Sequence, residues 1–153
     1  MNEAEYEESY SYFISKKTTD YNVGMQFIEE VLEQIKRSER GGLLIIDSIY
    51  SFMNACFESC NIDHDNLEKS RKQADFVNRI RYMAKVSKTA VILINQASDN
   101  FDGRRIFPMG GNFIPALGPS WDLNMDETME ISKKGHVREI RILNSPKCKA
   151  NSK

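Results

Sequence analysis

Asp47 and Ser48 close the run Gly41-Gly42-Leu43-Leu44-Ile45-Ile46-Asp47-Ser48, and Gln96 closes the run Ala90-Val91-Ile92-Leu93-Ile94-Asn95-Gln96. By type and spacing these are the residues best suited to chemistry. A carboxylate delivered at the tip of an aliphatic strand helps to hold Mg²⁺ beside the phosphates in nucleotide-hydrolysing α/β proteins. A carboxamide at the tip of a neighbouring strand can sense a γ-phosphate or relay its presence to the loop that follows. The phosphates also need a Gly-rich loop of the form G-x-x-x-x-G-K-[ST], whose backbone N–H groups cradle them. None of the eight glycines opens such a loop. These residues supply the metal side of a nucleotide site without the phosphate side, and one carboxylate is too little for Mg²⁺, which normally also takes substrate phosphates. The plainer reading is that Asp47 and Ser48 cap the next helix, since both are good N-cap types.

Three further groups invite a functional reading. Phe101, Arg104, Arg105 and Phe107 precede Pro108-Met109-Gly110-Gly111-Asn112, and basic residues interleaved with aromatics suit single-stranded nucleic acid, Arg on phosphate and rings on bases. Asp99 and Asp102 offset the local charge, so a solvated surface loop is the competing reading. Cys56, Cys60 and His64 are spaced by four, which on a continuous helix places them on one face. No fourth zinc ligand is evident and the helix is expected to break near Asn61, so reduced, partly buried thiols are expected instead. Phe52-Met53-Asn54-Ala55 has the F-x-x-A spacing that some recombinases use to dock neighbours, but within a core helix it reads as packing.

The elements that would position these residues follow from periodicity. Residues 9–15 are aromatic-rich and suit a strand. Thr18, Thr19 and Asp20 offer N-caps for a helix whose apolar stripe is Phe27, Ile28, Val31, Leu32 and Ile35, with Gly41-Gly42 as its stop. Leu43–Ile46 reads as a strand buried on both faces. A short helix over 49–57, a loop near 61–63 and a longer helix over 65–87 come next, the last with Phe76, Val77, Ile80, Met83 and Ala84 inward. Ala90–Ile94 is a second aliphatic strand. The polar stretch Ala97–Gly118 holds four of the eight glycines and two of the four prolines, and a stretch this long without regular structure is usually functional or disordered. Strands near 125–131 and 137–143 close the chain around a Lys133-Lys134-Gly135-His136 turn. Such alternation implies a mainly parallel sheet flanked by helices with a C-terminal antiparallel hairpin. Ligands of such sheets bind beyond the carboxyl ends of the strands, so Asp47 and Asn95-Gln96 should share one edge.

Composition bounds the rest. With 153 residues, 41% hydrophobic and 28% charged, the chain fits one ordinary globular domain. A net charge of −1 gives no global drive toward nucleic acid or anionic membrane. The charge is unevenly spread: residues 1–10 carry Glu3, Glu5, Glu7 and Glu8 and no base, whereas from Lys133 onward seven Lys or Arg face one acid, Glu139. No apolar run approaches the ~18 residues of a membrane span. The acidic N-terminus is unlike a signal or transit peptide, and an intracellular protein is expected. The three cysteines are too few for a disulfide framework.

Taken together, these motifs resemble the eukaryotic RecA-like strand-exchange recombinases, and more closely their paralog branch, from about Tyr10 to Lys147. Leu43–Ser48 is similar to the Walker B strand and Val91–Gln96 to the strand ending in the family's N-Q. Pro108–Asn112 and Pro115-Ala116-Leu117-Gly118-x-x-Trp121 resemble later signatures, the second that of the paralogs, and Ile140–Pro146 resembles the last core strand. The resemblance implies an incomplete RecA-like, P-loop NTPase type core over residues 1–153, with the Walker A strand and loop and the family's N-terminal domain not represented, and with 1–8 and 148–153 disordered. It implies Asp47 and Ser48 as the Walker B end, Gln96 as nucleotide sensor, and residues 97–113 as the second DNA-binding loop, with Phe101, Arg104, Arg105, Phe107, Gly110, Gly111 and Asn112 in it. Residues 58–66 would replace the first DNA-binding loop. The implied function is a non-catalytic recombinase paralog in the nucleus. It would support homologous-recombination DNA repair through a partner paralog, the recombinase filament and, weakly, single-stranded DNA. The alternative is the C-terminal part of an ATP-dependent repair recombinase paralog whose P-loop half lies outside this sequence. On either reading ATP and Mg²⁺ enter only with a partner or a longer protein, and no resident metal or catalytic residue is expected.

Overall fold

The first helix, α1 (Tyr21–Ser38), begins where Asp20 caps it: the carboxylate accepts from the Val23 N–H at 2.9 Å, while the Asp20 backbone stays extended. Its buried stripe is Met25, Ile28 and Leu32, with Ile35 packed partly against the same core. The computed structural model describes residues 13–62, 65–99 and 113–147. Of the strand expected over 9–15, residues 13–15 have no regular structure, and Phe13 and Ile14 are exposed; 9–12 lie outside the described residues.

The stop of α1 also differs from expectation. Glu39, not a glycine, takes the left-handed conformation at φ 57° and returns its N–H to Lys36. Gly41 serves a tertiary purpose. Its φ is +74°, and a Cβ there would sit 2.7 Å from the Lys88 carbonyl oxygen. Gly42 N–H donates to that same oxygen at 3.4 Å. The entries to β1 (Gly42–Asp47) and β2 (Thr89–Ile94) are thereby tied together.

Between these strands run α2 (Ile49–Ser59) and α3 (Asn66–Ser87), the crossover that parallel pairing requires. Ser48 caps α2 by accepting from Ser51 N–H, and Asp65 caps α3 by accepting from Leu67 and Glu68 N–H. β1 and β2 pair in parallel, Gly42 opposite Thr89 through Asp47 opposite Ile94. Leu44, Ile46, Val91 and Leu93 point to a core built from Met25, Ile28, Leu32, Ile49, Met53, Phe57, Phe76, Val77 and Ile80. Ile49 and Met53 are fully buried, each contributing about 1.5–3 kcal/mol. Phe52 packs between Tyr21 and Phe76, with centroids at 4.9 and 5.8 Å, which is the packing reading of the F-x-x-A spacing.

The expectation that these strands are buried on both faces is corrected. Leu43, Ile45, Ile92 and Ile94 are 56, 53, 48 and 41% exposed, so among the described residues helices cover one face only. The parallel sheet is also smaller than expected: among the described residues it has two strands, beside two antiparallel pairs. These are β3 (Ala97–Asp99) with β4 (Phe113–Pro115), and the hairpin β5 (Thr128–Lys134) with β6 (Val137–Asn144). A short helix, α4 (Pro119–Asp122), carries Trp121 onto Phe76. The architecture is mixed α/β, with a small parallel sheet and an antiparallel hairpin. Among the described residues no helix is long and apolar enough to cross a membrane.

Candidate functional site at the carboxyl end of the parallel strands

The register that sets Asp47 opposite Ile94 brings Asp47, Ser48, Asn95 and Gln96 to one edge of the sheet. Asp47 is the last residue of β1 and is exposed; among the described residues its carboxylate makes no ion pair. Its peptide bond to Ser48 is cis. Ser48 is committed to capping: its Oγ accepts from Ser51 N–H at 3.3 Å and lies 3.0 Å from Ser51 Oγ. The capping role weighed for Asp47 and Ser48 therefore belongs to Ser48, and it leaves the Asp47 carboxylate open.

Gln96 is exposed, and its backbone carbonyl accepts from Ala116 N–H at 2.9 Å. Asn95 beside it holds a carboxamide whose Nδ2 and Oδ1 are both buried with no hydrogen-bond partner among the described residues, as is Thr128 Oγ1 at the start of β5. Burial of a carboxamide costs free energy unless its hydrogen bonds are met, which sets Asn95 apart from the exposed Gln96 beside it. The sequence names Asn95 only as the neighbour of Gln96. Its burial comes from tertiary packing and has no local signature.

Phe101, Arg104, Arg105, Phe107, Gly110, Gly111 and Asn112 lie outside the described residues. The flanks of that stretch are placed. β3 leaves from Gln96, β4 returns antiparallel with Ala97 opposite Pro115, and the Ala116–Gln96 hydrogen bond closes the base. Of residues 58–66, α2 ends at Ser59, Cys60 caps it, Asn61 is left-handed at φ 55°, and Ile62 is buried with its N–H on the Phe57 carbonyl at 2.9 Å. His64 lies outside the described residues. Cys56 is buried and Cys60 exposed, both as free thiols. Burial, and after it the nearby Cys60, pushes the Cys56 thiol up. Burial first and Cys56 second push the Tyr21 hydroxyl up to about 12.

No protein-family model, no curated protein and no solved structure matches this chain. What can be said of function therefore comes from its own residues. One feature that the sequence marks only as a turn in a cationic tail is the hairpin tip. Lys133 and Arg138 face each other directly across β5 and β6, on the face that also carries the pairs Met129–Ile142 and Ile131–Ile140. Like charges directly opposite are destabilising, and an anion between them relieves the repulsion. The signal was present in the cationic tail, but only the register pairs these two residues.

Asp122, on α4, is held above the usual carboxylate range by burial. A raised folded-state value means that the unfolded chain loses its proton first, so stability falls as pH rises above about 3.8, the ordinary value. Asp122→Asn is expected to raise the urea midpoint at neutral pH and to converge on wild type at acid pH. Urea titrations at both pH values check this. A loss at neutral pH contradicts it.

Proposed function

We propose that this chain is the Walker B half of a RecA-like core and acts as a non-catalytic recombinase-paralog subunit in homologous-recombination DNA repair in the nucleus. Its partners on this reading are a paralog or recombinase that brings a P-loop, and single-stranded DNA, bound weakly. The observation that carries the reading is the parallel register that sets Asp47 and Asn95-Gln96 on one carboxyl edge, after a helical crossover. That is the edge where open α/β sheets take ligands. Among the described residues, support comes from the open Asp47 carboxylate, the Asn95 carboxamide without a hydrogen-bond partner and the exposed outer face of the sheet. A second reading is favoured by the same observations: the P-loop belongs to further polypeptide of the same protein, an ATP-dependent repair recombinase paralog.

Without a P-loop Lys and Ser/Thr, nothing in these residues neutralises β- and γ-phosphate charge or completes a Mg²⁺ shell. The 153-residue chain is expected to hydrolyse ATP no faster than background, with or without single-stranded DNA. Supplied with a G-x-x-x-x-G-K-[ST] polypeptide, as a co-expressed paralog or as a longer transcript product, it should contribute to a nucleotide response that Asp47→Ala reduces to background. Turnover by the chain alone that vanishes in Asp47→Ala would sink the non-catalytic reading. A nucleotide response indifferent to Asp47 would sink both.

A further inference from the structure

Gln73 lies on the inward stripe of α3 with Phe76, Val77, Ile80 and Ala84, and is 3% exposed. A methionine or leucine there would fill the space without the desolvation cost of a buried carboxamide. Both ends of the carboxamide are used. Nε2–H donates to the Leu117 carbonyl at 3.1 Å, and Oε1 accepts from Ser120 Oγ at 3.2 Å. Because the Leu117 carbonyl can only accept, the amide orientation follows from the pattern. Ser70 Oγ, one turn earlier on α3, donates to Ser120 Oγ at 3.2 Å. Farther along α3, Arg81 donates to the Asn124 carbonyl at 2.7 Å and pairs with Asp126 at 2.9 Å. The residue next to Leu117 makes the other decisive bond: Ala116 N–H on the Gln96 carbonyl at 2.9 Å. Two hydrogen bonds through adjacent residues thus connect the middle of α3 to the carboxyl end of β2.

We propose that Gln73 is a positioning residue that latches the Pro115–Trp121 segment onto α3 and, through Ala116, holds Gln96 at the sheet edge. Its contribution is geometric. Directional bonds to Leu117 and Ser120 select one placement of the segment, where an apolar contact would tolerate several. That Gln96 then faces a nucleotide rests on the functional reading above; the latch itself does not.

The test uses the full chain with Gln73→Met, which keeps volume and removes both bonds, and Ser120→Ala, which removes only the Oε1 partner. Amide hydrogen exchange is read by mass spectrometry. In Gln73→Met, residues 95–99 and 113–121 are expected to exchange faster by about tenfold, the scale of one lost hydrogen bond, while α1 exchanges as in wild type. Ser120→Ala should give a smaller rise in the same places. Trp121, the sole tryptophan, is 2% exposed and stacked on Phe76 at 6.4 Å, so its emission should shift to the red with the latch open. A rise of equal size in α1 would make Gln73 an ordinary core residue and overturn the proposal. So would unchanged exchange at 95–99 in both variants. If Gln73→Met does not fold, Ser120→Ala carries the same comparison. No nucleotide is present, so failure here is distinct from failure of the functional reading.

Discussion

Replacing Ile45 and Ile92 with lysine is expected to turn a self-associating chain into a monomer at micromolar concentration, without loss of helix content. The side chains of Leu43, Ile45, Ile92 and Ile94 point away from the helices and form one apolar face across both parallel strands. Apolar area buried is worth about 25 cal/mol per Å², so chains that bring these faces together gain. Among the described residues, β1 pairs only with β2 and β2 only with β1, so each keeps an edge able to template further pairing. Lysine at two outward positions makes such contact costly and leaves the inward residues untouched. The control is Leu44→Lys on the opposite face. Leu44 packs against the core, and a charge forced in there lacks a partner, so this variant should unfold. Analytical ultracentrifugation and far-UV circular dichroism separate the two. A wild-type chain that sediments as a monomer, with mass unchanged in Ile45→Lys/Ile92→Lys, would show that the face needs no cover. The functional reading adds that co-expression with a P-loop paralog should suppress self-association of the wild type.

The same four residues mark where the sequence was legible and where it was not. Leu43–Ile46 and Ala90–Ile94 read as strands because they are short, aliphatic and bounded by Gly or by polar caps. Their parallel pairing, which sets Asp47 beside Asn95-Gln96, followed from the helices between them. A continuous aliphatic run does not say which face its own chain covers, and here helices cover one. Gly41 looked like a helix stop because glycine is the usual left-handed residue there. Glu39 takes that conformation instead, and Gly41 is needed for its approach to Lys88, a contact 47 positions away in sequence that no local pattern shows. Gln73 sits three positions before Phe76, on the stripe that packs inward, where only tertiary structure gives its carboxamide partners. The strand expected from 125 begins at Thr128, because Met125 is drawn to the core and Asp126 to Arg81. At the candidate site the carboxylate and carboxamides were legible from strand ends. The unpartnered state of Asn95 was not, since it depends on what packs around it.

If the chain binds single-stranded DNA as proposed, charge reversal at the hairpin tip is expected to produce the largest loss of that affinity among the described residues. Lys133 and Arg138 are exposed, face one another across the ladder and sit at the end of an apolar strip. Their mutual repulsion falls when a phosphate lies between them. Each phosphate neutralised on a single strand contributes about −0.7 to the slope of log Kobs against log salt. Lys133→Glu/Arg138→Glu should therefore flatten that slope by roughly 1.4 if both cations contact phosphate, with the greatest loss of binding at low salt. Arg104→Glu/Arg105→Glu should weaken binding as well, though less than two free cations would imply, because Asp99 and Asp102 already offset them in the sequence. Glu130 and Arg141 form a cross-strand ion pair at 3.7 Å on the other face of the hairpin. Reversing both residues together keeps that pair and the net charge, which makes it the control for a merely disturbed hairpin. Fluorescence anisotropy with labelled single strands across a salt series gives all three slopes. If the tip variant and the Arg104/Arg105 variant both bind as wild type at low salt, neither is a nucleic-acid contact. The proposed role would then rest wholly on the protein surfaces of the sheet.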